Sequence, residues 1–182
     1  MLMNFSLKRQ ELIETLSTLI KIVPNRTTLP VLSTVFIKTT EKGLLFRATD
    51  LEVDMECLIK AEVLEEGEVC VPIGKFFEIA NSIISDDISI NVNETQRMRI
   101  KTLTGKYTVV CQKTEEYPEK RDLGENKLNI SANFLNESIR ATTYVCSKDE
   151  LKPALNGVFF DIKTNSITAV ATDALRLVRY IT

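Results

Sequence analysis

Ala48-Thr49-Asp50 and Ala171-Thr172-Asp173 are one triplet written twice, 123 residues apart, and that offset decides how the chain is read. The same offset lays Leu32-x-x-Val35-Phe36 on Leu155-x-x-Val158-Phe159 without a gap. Pro30 then falls on Pro153, Leu12 on Leu135 and Glu14 on Glu137. Separate motifs in a single register mark a duplicated structural unit. The sequence stops at Thr182, about halfway through the second period, so the second copy is expected to be half a domain.

Working outward, the grammar within each copy is also repetitive. Residues 2–8 read as a strand, and Leu12, Leu16, Leu19, Ile20 and Val23 at helical spacing predict a helix from Arg9 to about Val23, closed by Pro24. A loop at 25–31 precedes three predicted strands near 32–39, 44–49 and 51–62, with Gly43 at the first turn. The order restarts with a strand at 68–71, a helix over 74–84, and strands near 87–93, 97–103 and 106–112. Charged residues 113–127 read as a linker. A third round follows: strand 128–132, a helix, then strands near 155–162, 167–172 and 175–181. The expected fold class is α+β, built from strand–helix–three-strand half-units, each placing a helix on one face of an antiparallel sheet. The expected domains are 1–122, complete, and 123–182, the first half of a second.

Composition narrows the chemistry. There is no histidine among 182 residues, so neither a Ser-His-Asp nor a Cys-His mechanism can be assembled. Cys57, Cys70, Cys111 and Cys146 include no CxxC pair and lie in apolar patterns, which predicts buried free thiols rather than disulfides or a zinc site. Phosphate-loop signatures are missing, because the six glycines are scattered singly. The acidic pairs Asp86-Asp87 and Glu115-Glu116 lack metal-ligand spacing. No cofactor and no metal are expected, and no enzymatic activity. A net charge of −2 argues against a uniformly basic nucleic-acid coat but leaves room for one basic face. No apolar run reaches membrane-spanning length, and the N-terminus lacks signal-peptide features, so a cytoplasmic protein is expected. Asp50 and Asp173 are expected to pin the turns that follow their strands, as Asx-turns do.

Thr28-Leu29-Pro30-Val31-Leu32, Ala48-Thr49-Asp50-Leu51-Glu52, Val71-Pro72-x-x-Lys75-Phe76-Phe77, Leu155-Asn156-Gly157-Val158-Phe159-Phe160 and Ala171-Thr172-Asp173-x-x-Arg176-Leu177 together resemble the bacterial sliding clamp family, the beta subunit of the replicative DNA polymerase III. The resemblance implies a DNA-clamp fold, with antiparallel sheet outside and helices inside. It further implies three domains per chain, of which the third is absent here. The implied action is that of a processivity factor. A head-to-tail homodimer would form a ring around duplex DNA, while the replicative polymerase and the clamp loader dock through short linear motifs.

Duplex DNA in a sliding ring needs phosphate attraction without base readout. Arg9, Lys21, Arg26, Lys75, Arg140 and Lys148 are the candidates for it, Arg26 in the loop Asn25-Arg26-Thr27-Thr28. The resemblance places a partner-peptide groove at Leu155, Thr172, Ala174, Leu175, Arg176 and Leu177. The sequence departs from the family at Ala174 and Leu175, where a small residue (often Gly) and a polar ring are common. Tyr107 and Val109, on one face of the strand at 106–112, are the expected ring-interface pair. An α+β scaffold or peptide-binding module that does not encircle DNA remains the alternative. So does an enzyme using clustered carboxylates.

Overall fold

The computed structural model describes residues 3–24, 26–120, 124, 128–149 and 151–181. The chain forms two compact units, residues 1–121 and 122–182. The boundary expected at 122/123 lies outside the described residues.

Unit 1 runs β1 (Met3–Lys8), α1 (Arg9–Leu19), β2 (Thr34–Thr40), β3 (Gly43–Thr49), β4 (Asp54–Ile59), β5 (Glu62–Glu65), β6 (Glu68–Pro72), α2 (Ile73–Ser82), β7 (Asp87–Val92), β8 (Arg97–Lys101) and β9 (Lys106–Val110). Its strands make two antiparallel sheets, ordered β5-β1-β7-β8-β9 and β4-β3-β2-β6. The half-units are therefore interleaved. The opening strand of each half-unit, β1 or β6, is hydrogen-bonded into the sheet of the other half. Alternating apolar residues give each strand one dry face. Phe5 on β1, Ile37 on β2, Phe46 on β3, Val71 on β6 and Ile90 on β7 all point into a single core. Leu12, Leu16 and Leu19 of α1 and Phe76 and Ala80 of α2 fill it from the helical side. A fully buried ring such as Phe76 contributes roughly 2–3 kcal/mol of hydrophobic stabilisation. Gly43 (φ +128°) cannot be replaced freely, because a side chain there would run into the Ile59 carbonyl.

Four expectations need correction. The helix at 9–23 ends at Leu19; Ile22 N–H already bonds three residues back to Leu19 O, and the chain turns. The strand expected at 51–62 breaks into β4 and β5, which belong to different sheets. Its apolar alternation runs through both, so no Gly or Pro flags the crossing at Lys60-Ala61. Residues 113–120 are not a free linker. Tyr117 is buried, its hydroxyl donates to Arg47 O at 3.0 Å, and Lys120 pairs with Glu56 at 2.6 Å. Finally, the strand expected at 128–132 is not formed over the described residues of that stretch, and α3 starts at Ala132.

Unit 2 contains α3 (Ala132–Thr142), β10 (Phe159–Lys163), β11 (Ser166–Thr172) and β12 (Leu177–Ile181), the last three forming an antiparallel sheet in that order. The 123-residue offset carries α1 residue for residue onto α3, and β3 onto β11. Tyr180 on β12 reaches α3, donating to Glu137 at 2.9 Å and tilting against Phe134. The missing strand follows from the interleaving. In unit 1 the opening strand is held between β5 and β7, and unit 2 shows no counterpart of either among its described residues.

The repeated triplet folds the same way twice. Asp50 Oδ1 accepts the N–H groups of Glu52 (3.0 Å) and Val53 (2.7 Å), and Asp173 Oδ1 accepts those of Leu175 (3.0 Å) and Arg176 (2.7 Å). Thr49 and Thr172 accept from Leu51 and Ala174. Both carboxylates thus pin a turn, as read from the sequence. The residue inside each turn adopts a left-handed conformation, Leu51 at φ +79° and Ala174 at φ +74°. A side chain there costs about 1 kcal/mol relative to glycine. Ala174→Gly is accordingly expected to raise the stability of unit 2 by about that amount, visible as a higher urea midpoint at unchanged slope.

Candidate functional site

The cations divide by what holds them. Arg9 opens α1, and its guanidinium reaches the end of α2, donating to Ala80 O at 3.3 Å and Asn81 O at 3.5 Å. Those carbonyls lie in the last turn of α2, where a positive charge is favourable, so Arg9 is occupied in joining the two helices. Arg140 sits in the last turn of α3 and is likewise well placed for the helix dipole. Lys21, in the turn after α1, and Lys148, in the loop before β10, are exposed. Arg26 and Lys75 are exposed too. None of these six cations has an ion pair among the described residues. Asn25, Arg26's neighbour, lies outside the described residues.

Lys75 stands out electrostatically. It lies in the first turn of α2, where the helix dipole disfavours a cation, and no side chain caps that turn. Uncapped N–H groups beside an exposed ammonium form a surface suited to an anion.

The hairpin of β11 and β12 carries five of the six groove candidates. Thr172 pairs with Leu177 across the ladder, and the Thr172 hydroxyl donates to Arg176 O at 2.6 Å. Arg176 turns back on the turn itself, with Nε and Nη2 donating to Asp173 Oδ2 at 3.1 and 2.9 Å. Together with the Arg176 backbone N–H, the largest contribution, and that of Leu175, this holds the Asp173 carboxyl down at about 2. Leu175 is 93% exposed and Leu177 66% exposed. Leu155 is half-buried on a 3-10 turn, its carbonyl accepting Ser147 N–H at 2.8 Å. Hence an apolar surface is present, rimmed by a guanidinium already fixed in place. Position 174 needs a left-handed backbone, which is the physical reason a small residue suits it.

β9 is the outermost strand of its sheet. Tyr107 and Val109 do share a face, but that face is turned to unit 1's own core, with Val109 only 4% exposed. What the edge offers a neighbour is therefore backbone, supported from within by these two side chains.

The four cysteines are free; Cys70 and Cys111 are buried as expected, whereas Cys57 and Cys146 are only partly buried. Burial pushes the Cys70 thiol up to about 12 and Cys111 up to about 11, so neither is a nucleophile at neutral pH. Sequence reasoning missed Arg47, a buried arginine whose Nε donates to Asp54 at 2.8 Å and whose Nη1 donates to Pro118 O at 2.9 Å. Its alternation within an apolar strand hid it. Among the described residues no group of His, Cys, Asp and Glu is arranged to hold a metal, and no helix is long and apolar enough to cross a membrane.

Comparison with known proteins identifies the family. The family model of the DNA polymerase III beta subunit, N-terminal domain, matches residues 3–121, and that of the central domain matches residues 129–181. The beta sliding clamp of Chlamydia muridarum is 29% identical over 179 residues, covering 97% of this chain and 49% of the relative. That of Haemophilus influenzae is 31% identical over 178 residues, covering 96% and 48%. A crystal structure of the DNA polymerase sliding clamp from Bacillus subtilis superposes with a TM-score of 0.94 at 23% identity, over 99% of this chain and 50% of that one, which shows the clamp fold. The chain spans about half the length of the curated relatives it matches. With two consecutive domain matches in order and the clamp fold in both units, the chain belongs to the DNA polymerase III beta subunit family.

Proposed function

We propose that this chain supplies the N-terminal portion of a DNA sliding clamp, a non-enzymatic ring that encircles duplex DNA and tethers the replicative polymerase. Residues 1–122 are its first domain and 123–182 the first half of its second. The observation that carries this reading is the pair of consecutive family matches on a chain whose helices and adjoining loops bear cations without ion pairs among the described residues. Lys21, Arg26, Lys75, Arg140 and Lys148 attract the phosphate backbone, Arg26 and Lys75 most directly. Arg9 acts mainly by tying α1 to α2. Such contacts are independent of sequence, so the ring is held near DNA without being stopped on it.

The groove at Leu155, Thr172, Ala174, Leu175, Arg176 and Leu177 takes an apolar linear segment from the polymerase or the clamp loader. Arg176, held by Asp173, provides a fixed rim rather than a searching one. The open edge of β9 is where a second subunit adds a strand in a head-to-tail ring, a heterologous contact that closes by rotation. In this reading the site requires no cofactor. Primer extension on a singly primed circular template tests it. With loader and polymerase present, adding the native protein that carries this chain is expected to lengthen products from short, distributive fragments to full circles. Unchanged product length would refute the reading.

A further inference from the structure

Each of the helices α1, α2 and α3 carries a glutamate as its sixth residue, Glu14, Glu78 and Glu137. Each glutamate follows by two an apolar residue, Leu12 and Phe76 in the core of unit 1 and the half-buried Leu135 of unit 2. Two residues turn a helix by about 200°, which carries the carboxylate to the side away from the packing. All three glutamates are exposed. Lys75 and Arg140 each stand three residues from the glutamate of their own helix, on the same face, and Lys21 follows the end of α1. Yet none of the three carboxylates has an ion pair among the described residues. Two of them accept from neutral groups instead, Glu14 from Gln10 Nε2 at 2.7 Å and Glu137 from the Tyr180 hydroxyl at 2.9 Å. The helix dipole does not account for the placement, because it favours acids in the first turn and these lie mid-helix.

We propose that Glu14, Glu78 and Glu137 oppose the neighbouring cations, holding the phosphate backbone off the middle of each helix so that duplex is bound loosely. The inference rests on the clamp reading, since it takes the helical side as the one that meets DNA. A ring that slides must break every phosphate contact it makes, and each contact is tightened by the counterions it releases. Side chains three apart on a helix are about 5 to 6 Å apart at Cβ. That is inside the screening length of about 8 Å at physiological salt, so a phosphate drawn to Lys75 or Arg140 also meets the carboxylate. The cations then keep the duplex close, while the glutamates keep any one contact short-lived.

The test compares the native protein that carries this chain with its Glu14→Gln/Glu78→Gln/Glu137→Gln variant. Glutamine keeps the length of the side chain and an acceptor oxygen for Tyr180, and removes only the charge. Both proteins are loaded on duplex anchored at its two ends and followed by single-molecule fluorescence, and both are titrated with a short labelled linear duplex. The variant is expected to bind the linear duplex about tenfold more tightly, with a log–log salt slope steeper by roughly one or more. Its diffusion along the anchored duplex should slow several-fold. Glu14→Asp/Glu78→Asp/Glu137→Asp keeps the charges and should behave as the parent, as should Glu41→Gln, which neutralises an exposed carboxylate in the β2–β3 turn. Equal affinity and diffusion for parent and glutamine variant overturn the proposal alone, as does an aspartate variant that matches the glutamine one. A parent that does not stay on the anchored duplex overturns the clamp reading and this inference with it.

Discussion

Arg26→Glu combined with Lys75→Glu is expected to shorten the products of clamp-dependent primer extension severely while leaving the fold intact. Both side chains are exposed, and neither has an ion pair among the described residues, so their replacement removes nothing that stabilises unit 1. Surface changes of this kind stay within about 0.5 kcal/mol. Each charge-assisted contact to phosphate contributes roughly 1.5 kcal/mol or more. Losing two corresponds to about a hundredfold in affinity for duplex, before the added repulsion is counted. The salt dependence should change in parallel, its log–log slope falling by roughly two. Unaltered product length and slope, with the urea midpoint unchanged, would show that these cations are ordinary solvated side chains.

Tyr117→Ala has the largest expected effect on stability. Tyr117 is 8% exposed, stacks on Phe36 with ring centroids 5.2 Å apart, and lies under the Arg47 guanidinium at 5.6 Å. Its hydroxyl donates to Arg47 O, while Arg47 itself bonds Asp54 and Pro118 O. Truncation removes the ring that covers this buried arginine, opens a cavity, and frees the segment 113–120 from the sheet. A loss of about 3–5 kcal/mol is expected in urea unfolding of unit 1. Tyr117→Phe keeps the ring and loses only one hydrogen bond, so about 1 kcal/mol is expected. An alanine variant within 1 kcal/mol of the parent would mean that the segment contributes little to the domain. Burial raises the Tyr117 hydroxyl above the usual tyrosine range, so its hydrogen bond is not lost at neutral pH.

Local periodicity made most elements legible. The alternation in β7 and β8 and the leucine spacing of α1 follow from one wet and one dry face, which a linear pattern records. The repeated Thr-Asp was legible for a related reason, because a short carboxylate two and three residues before free N–H groups makes the same turn wherever it occurs. What escaped was long-range. Nothing local says that β1 pairs with β5 and β7, or that β6 pairs with β2, since such pairings depend on which sheet a strand joins. The crossing between β4 and β5 was invisible for that reason, and so was the absence of a strand at 128–132.

At the site, exposure of Arg26 was readable from its polar neighbours Asn25, Thr27 and Thr28, but the engagement of Arg9 with the end of α2 was not. Alternation put Tyr107 and Val109 on one face of β9 but did not say that this face packs against the unit's own core. Arg47 went unnoticed because its partners are 7 and 71 residues away in sequence.

The central claim is topological linkage to DNA, and retention on closed versus cut DNA tests it most directly. The native protein, labelled and loaded onto nicked circular plasmid, is passed through a sizing column before and after linearisation. The account predicts co-elution with the circle at a salt concentration that abolishes simple phosphate binding, and complete release once the plasmid is cut. Release from the circle at that salt, or retention after cutting, would contradict it.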